Sequence, residues 1–172
     1  MKLSLTITVL VAGLALSACT NPNRFGNETL NGGNTATAPG GIVPGSANDP
    51  ASTAYFQQTI GDRVLFDVDQ STLTPLGQQT LVGQAQWLLS NPVYQAVIEG
   101  HADEQGTREY NLALGARRAN AAKEFLISQG VPGERLRVIS YGKERPIEIC
   151  SNEACYAKNR RAVTVLAGGL TS

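Results

Sequence analysis

Asp103 and Arg118 are the residues whose types and spacing point most directly to chemistry. At about 100° per residue, Tyr110, Leu114, Ala121, Ala122 and Phe125 fall on one arc of the helix that the sequence predicts from Thr107 to Gln129, and Arg118 projects from the middle of it. A guanidinium keeps its proton in a protein, so on an apolar face it must meet a carboxylate or an anionic ligand. Asp103, with Glu104 beside it, lies just upstream, where a strand ends and the loop into the helix begins. Asn111 shares the arc two turns before Arg118, and its amide can orient either partner. Two readings follow. In one, carboxylate and guanidinium form a rigid two-signed site for a zwitterion, the first receiving an ammonium and the second a carboxylate. In the other, Asp103 caps the approach to the helix and Arg118 closes an internal pair with it or with Glu99.

His101 is the single histidine, and the run His101-x-Asp103-Glu104 invites comparison with metal sites. A catalytic zinc usually takes three protein ligands, often two of them imidazoles, so neither a metal nor another cofactor is expected here. A hydrolase would have to use His101 as its base, and no serine stands in a G-x-S-x-G elbow. That rival reading predicts turnover that vanishes in His101→Ala. Charge is balanced, with 14 Lys+Arg against 14 Asp+Glu, and no basic block stands out. Nucleic acid is therefore not an expected partner, because phosphate neutralisation needs clustered cations. The chemistry expected is local, stereospecific binding.

Several elements must position these residues. Arg63 to Asp67 reads as a short strand. Thr74-Pro75 opens a helix to about Ser90, with proline in the first turn and Asn91-Pro92 as the stop. Leu76, Leu81, Trp87, Leu88 and Leu89 are its expected core positions. Tyr94 to His101 is a second strand with Ala96, Ile98 and Gly100 on one face. The Arg118 helix follows, closed by Gly130, and Arg135 to Tyr141 and Ala162 to Leu166 supply two more strands. This order, β-α-β-α-β-β, specifies an α+β domain, a mixed sheet with helices packed on one face, over residues 54–168, with 169–172 as a tail. Gly115 costs its helix about 1 kcal/mol relative to alanine but lets another backbone or a ligand approach closely. If Arg160 and Arg161 begin the last strand they alternate in direction, so one is expected to face the site and the other to be a solvated edge charge.

Three runs in order resemble the peptidoglycan-binding OmpA-like domain: GHADEQGTREYNLALGARRA at 100–119, LRVISYGKERP at 136–146 and AKNRRAV at 157–163. The likeness spans roughly residues 62–166, and Gly115 favours the family's lipid-anchored branch. It implies a noncatalytic domain that grips the diaminopimelate of murein stem peptide. The grip falls to Asp103, after the G-H-x-D turn, and to Arg118, which ends an N-x-x-L-x-x-x-R pattern whose other positions are Asn111 and Leu114. By the same likeness Phe66 and Asp67 sit on the first strand's rim, and Arg160 and Arg161 fill a terminal N-R-R.

The amino terminus resembles a bacterial lipoprotein leader: basic Met1-Lys2, an apolar run from Leu3 to Leu14, then Leu16-Ser17-Ala18-Cys19. Its apolar run is shorter than the ~20 residues that cross a bilayer. Removal of residues 1–18 would leave Cys19 acylated, and Thr20 after it favours the periplasmic face of the outer membrane. From Thr20 to Thr53 apolar groups are too sparse to offset the entropy of ordering, so residues 19–53 are expected to form a flexible tether. Cys150 and Cys155 are then an even pair in an oxidising compartment, flanking a turn-like sequence, and a disulfide is expected. The alternative places Cys155 one turn into a short helix, out of reach of Cys150. The partners implied are peptidoglycan, the outer membrane through the lipid, and the periplasmic Tol propeller protein with the rest of the Tol system. A family member outside the Tol system, or a protein-interaction module that ignores murein, are the alternatives.

Overall fold

The computed structural model describes residues 42–149 and 151–168; the leader, Cys19, residues 20–41, Cys150 and the tail lie outside them. Four strands form one sheet in the order β1-β4-β2-β3, where β1 is Arg63–Leu65, β2 Gln95–His101, β3 Leu136–Gly142 and β4 Arg161–Ala167. β2 and β3 are parallel, and β4 runs antiparallel to both β1 and β2. A parallel pair needs a long crossover, and the helix carrying Arg118 supplies it. The expected mixed sheet with helices packed on it is what the chain forms.

Each helix is delimited by its own chemistry. Helix α1, Thr53–Tyr55, runs into a π-helical turn at Phe56–Gly61. Helix α2 is Pro75–Ser90; Thr74 accepts a hydrogen bond from the Gly77 N–H, and Pro75 occupies the first turn, where its missing N–H costs nothing. It buries Leu81 and Leu88 completely, each worth roughly 1.5–3 kcal/mol. Leu76 and Leu89, also expected in the core, are 73% and 46% exposed. Leu76 lies about 140° round the helix from Leu81, outside the stripe that meets the sheet.

Helix α3, Arg108–Ser128, starts on Thr107, which accepts from the Tyr110 N–H, and ends before Gly130 at φ 98°. Its buried stripe runs through Asn111, Leu114, Gly115, Arg118, Ala122 and Leu126. Tyr110, expected inside, is 44% exposed. Gly115 performs the task its position suggested: a Cβ there would stand 2.5 Å from Ser140 Oγ, and one on Gly100 only 1.8 Å from the Gly115 carbonyl oxygen. Two glycines thus let the helix backbone lie directly on the sheet.

Three further expectations need correction. The first strand ends at Leu65, although the Phe66 N–H still donates to the Arg160 carbonyl at 3.0 Å. A fourth helix, α4 at Glu153–Asn159, intervenes before the last strand, so the order is β-α-β-α-β-α-β; Asn152 caps it by accepting from the Cys155 N–H. The tether expected to reach Thr53 gives way earlier, since residues 42–52 form hydrogen-bonded turns. Trp87 Nε1 donates to the Pro50 carbonyl at 2.7 Å, which pins this segment to α2.

Candidate ligand-binding cleft

Asp103 stands just past the end of β2, on backbone that is still tied to the sheet: the Ala102 N–H donates to the Gly142 carbonyl at 2.8 Å. Its Oδ1 accepts from the Gln105 N–H at 3.2 Å, and its Oδ2 accepts from Arg160 Nη1 at 3.1 Å. Asn111 Nδ2 donates to the Gln105 carbonyl at 2.7 Å and Lys143 Nζ to the Gly106 carbonyl at 2.7 Å. The loop from 103 to 106 is therefore fixed from three sides. Beside it lies a cleft of about 240 Å³.

The opposite wall is built by Val68 and Asp69. Asp69 has φ 57°, uncommon for a residue with a side chain, and it accepts a short hydrogen bond from the Tyr110 hydroxyl. That bond raises the Tyr110 pKa. Tyr110, Asn111 and Leu114 complete the lining from α3. With Gln105 and Gly106 from the loop, the lining offers two carboxylates, two amides, one phenol and aliphatic carbon, which suit a cationic group on an aliphatic stem.

Arg118 is placed differently from the open guanidinium expected of it. It is fully buried, and it is not among the residues that line the cleft. Nε donates to the Gln70 carbonyl at 2.7 Å, Nη1 to that of His101 at 2.9 Å, and Nη2 to that of Asp67 at 3.1 Å. Burial pushes its pKa down to about 10, against the pull of Asp103, so it stays charged at neutral pH. The guanidinium thus clasps the turn 67–70 to the end of β2, and the Phe66 ring lies 5.3 Å from its central carbon.

The other expected residues separate in the same way. Phe66 is buried; the Asp67 side chain is exposed, and its carbonyl is the group that serves the site, through Arg118. Arg160 faces Asp103 from the C-terminal end of α4, with Nε on the Phe66 carbonyl and Nη2 on Glu153. One of the two arginines was expected to be a solvated edge charge, but Arg161 too is buried and donates to the Asn159 and Arg145 carbonyls. Cys155 is buried in the first turn of α4, and Cys150 lies outside the described residues. His101 is buried and does not line the cleft; burial first, then Arg161 and Arg145, push its pKa down to about 4. Among the described residues no group of three His, Cys, Asp or Glu could hold a metal ion.

Sequence reasoning missed two contributors. Asp69 carried no signal: it lines the cleft from a backbone at φ 57°, which residue type alone does not announce. Asn159 is fully buried; its Oδ1 accepts from the Ile147 and Glu148 N–H groups, and its Nδ2 donates to Glu104. Its place before Arg160 and Arg161 in the last motif was the available clue.

The OmpA family pattern matches residues 65–160, which run from the end of β1 through α4. This chain belongs to the OmpA family, in its peptidoglycan-associated lipoprotein branch. A protein of that description from Mesorhizobium japonicum is 52% identical over 162 residues, covering 92% of this chain and 89% of the relative. One from Legionella pneumophila is 36% identical over 160 residues, 93% of this chain and 91% of the relative. Among solved structures, the peptidoglycan-associated lipoprotein of Burkholderia pseudomallei superposes with a TM-score of 0.63 at 39% identity, over 70% of this chain and 98% of its own. The C-terminal domain of Helicobacter pylori MotB, at 20% identity and a TM-score of 0.59 over 63% of this chain and 86% of its own, shares the family fold. Among the described residues no helix is long and apolar enough to cross a membrane.

Proposed function

We propose that the cleft binds the diaminopimelate residue of murein stem peptide without catalysis, and that a lipid on Cys19 holds the domain to the periplasmic face of the outer membrane. The observation that carries this reading is the pair of carboxylates, Asp69 and Asp103, facing one cleft whose remaining walls are amide, phenol and aliphatic carbon. The ligand's ammonium takes the carboxylates, and Leu114 and Val68 cover its methylenes. Arg118, buried behind the cleft and spent on the Gln70, His101 and Asp67 carbonyls, serves binding by holding the 67–70 turn that presents Asp69. The names of the relatives, peptidoglycan-associated lipoproteins, support the same ligand class.

Co-sedimentation with purified sacculi tests the reading. Asp69→Asn and Asp103→Asn keep the side-chain shape and remove the charge, and each is expected to weaken binding roughly 10- to 100-fold, the worth of one charge-assisted hydrogen bond. If both variants fold and pellet like the wild type, the cleft is not the murein site.

Two finer elements rest on family likeness and cysteine count. Exchange of the domain between murein and the periplasmic Tol propeller protein predicts that purified propeller protein retains the wild-type chain, and failure to do so places the protein outside the Tol system. A Cys150–Cys155 disulfide would fasten the start of α4, the helix that holds Arg160 on Asp103. It predicts a gain of two hydrogens in intact mass on reduction; an unchanged mass excludes it.

A further inference from the structure

α2 and α3 cover one face of the sheet, and the other face carries a composition of its own. The register sets out two rows across it. Arg63 stands opposite Val163, Val163 opposite Glu99, and Glu99 opposite Ile139. In the next row Val165 stands opposite Val97, and Val97 opposite Arg137. Because side chains alternate along a strand, these residues share the face turned away from Ile98 and Ala162 in the core. Ile139 and Val165 are 42% and 40% exposed, and Leu65, on the same face opposite Arg161, is 48% exposed.

The charges around this strip are mostly of one sign. Arg137 and Arg145 contribute two exposed cations, with Arg145 laid over the Tyr141 ring at 3.7 Å, while Arg161, at the covered end of the face, is buried on the Asn159 and Arg145 carbonyls. Arg63 and Asp62 pair with each other at 2.7 and 2.9 Å and cancel, which leaves Glu99 as the carboxylate against the two arginines. His101, on the same face beside Tyr141, is buried and neutral at ordinary pH. An apolar centre ringed by arginine is the usual make-up of a protein contact, where arginine is enriched and the core of the patch is apolar.

Size and sign select the occupant. Four strands about 4.8 Å apart, with two rows of outward residues, offer a few hundred Å², well short of the ~800 Å² that each partner gives a stable interface. A second copy would also set arginine against arginine. We propose that the open sheet face is a transient docking surface for a protein segment that presents carboxylates around an apolar centre, separate from the murein cleft and independent of the reading given to that cleft.

The probe is a displayed library of random dodecapeptides panned against the full chain, with enriched peptides mapped by amide chemical shifts. The expected result is enrichment of peptides that join acidic and apolar residues, with shifts at Val97, Ile139, Val163 and Val165 and none at Asp103. Arg137→Glu and Ile139→Glu are surface changes, and each should weaken that binding at least tenfold while sedimentation with sacculi stays at the wild-type level. Enriched peptides of neutral or basic composition, shifts confined to the cleft, or binding of wild-type chain to phosphatidylglycerol vesicles that Arg137→Glu abolishes would each overturn the proposal.

Discussion

Replacing Arg118 by alanine should destabilise the fold before it says anything about binding, because the guanidinium serves three main-chain carbonyls. Each bond from a charged donor is worth about 1.5–3 kcal/mol, so the three together contribute roughly 5–9 kcal/mol. Burial of the charge offsets part of this: moving the pKa from 12.5 down to about 10 corresponds to ~3 kcal/mol at ~1.4 kcal/mol per unit. The difference centres near ~4 kcal/mol, in the range measured when one partner of a buried charged contact is removed. For a domain of this size that is a fall in Tm of roughly 12–20 °C. Arg118→Lys, whose ammonium can reach only some of the carbonyls, should fall between. Thermal melts followed by circular dichroism read the effect. A Tm for Arg118→Ala within about 3 °C of wild type, with sacculus binding lost, would refute the clasp and make the arginine a ligand contact alone.

Acid should expose a second buried group. His101 titrates near 4 in the fold and near 6.5 when unfolded, so the unfolded chain takes up the proton first as pH falls. Stability is thus lost from about pH 6.5 down to about 4, by up to ~3 kcal/mol. In urea melts between these limits, His101→Gln should lose less stability than wild type; parallel slopes would show that the imidazole does not carry the loss. Gly100→Ala should cost well over ~3 kcal/mol or prevent folding, because its Cβ would meet a helix carbonyl oxygen at 1.8 Å; Gly115→Ala, whose Cβ would meet Ser140 Oγ at 2.5 Å and the Gly100 carbonyl oxygen at 2.8 Å, is also strained but should cost less. Equal midpoints in denaturant for the two variants would contradict the contact.

What the sequence disclosed was the local part of the design. Thr74-Pro75, Thr107 and Gly130 mark helix ends because capping is decided within four residues, and each stands where the structure puts it. Gly115 signalled a close approach, which Gly100 and Ser140 make. The partners of the charged groups were not legible. Arg160 reaches Asp103 across 57 positions of sequence, and Arg118 reaches Gln70 across 48, so neither pairing leaves a periodic trace. Asp67 and Asp69 differ in role through one backbone rotation, the positive φ of Asp69, which residue type alone does not announce. Helix α4 is seven residues long, too short for a periodic signal, and it appeared in the sequence only as the alternative that put Cys155 one turn into a short helix.

The bond from Trp87 to Pro50, with the Tyr94 hydroxyl on the Ala51 carbonyl at 3.4 Å, ties the amino-terminal segment to the last turns of α2 and to the approach to β2, where a pull from that side reaches the domain. The cleft lies at the other end of β2, seven residues or about 20 Å away. Tension applied between the two therefore runs lengthwise along β2, which is laced to β4 on one side and β3 on the other. Its ladder bonds are loaded in shear and must fail together, whereas a strand pulled sideways opens one bond at a time like a zip. The domain is strung in the direction in which a sheet yields last.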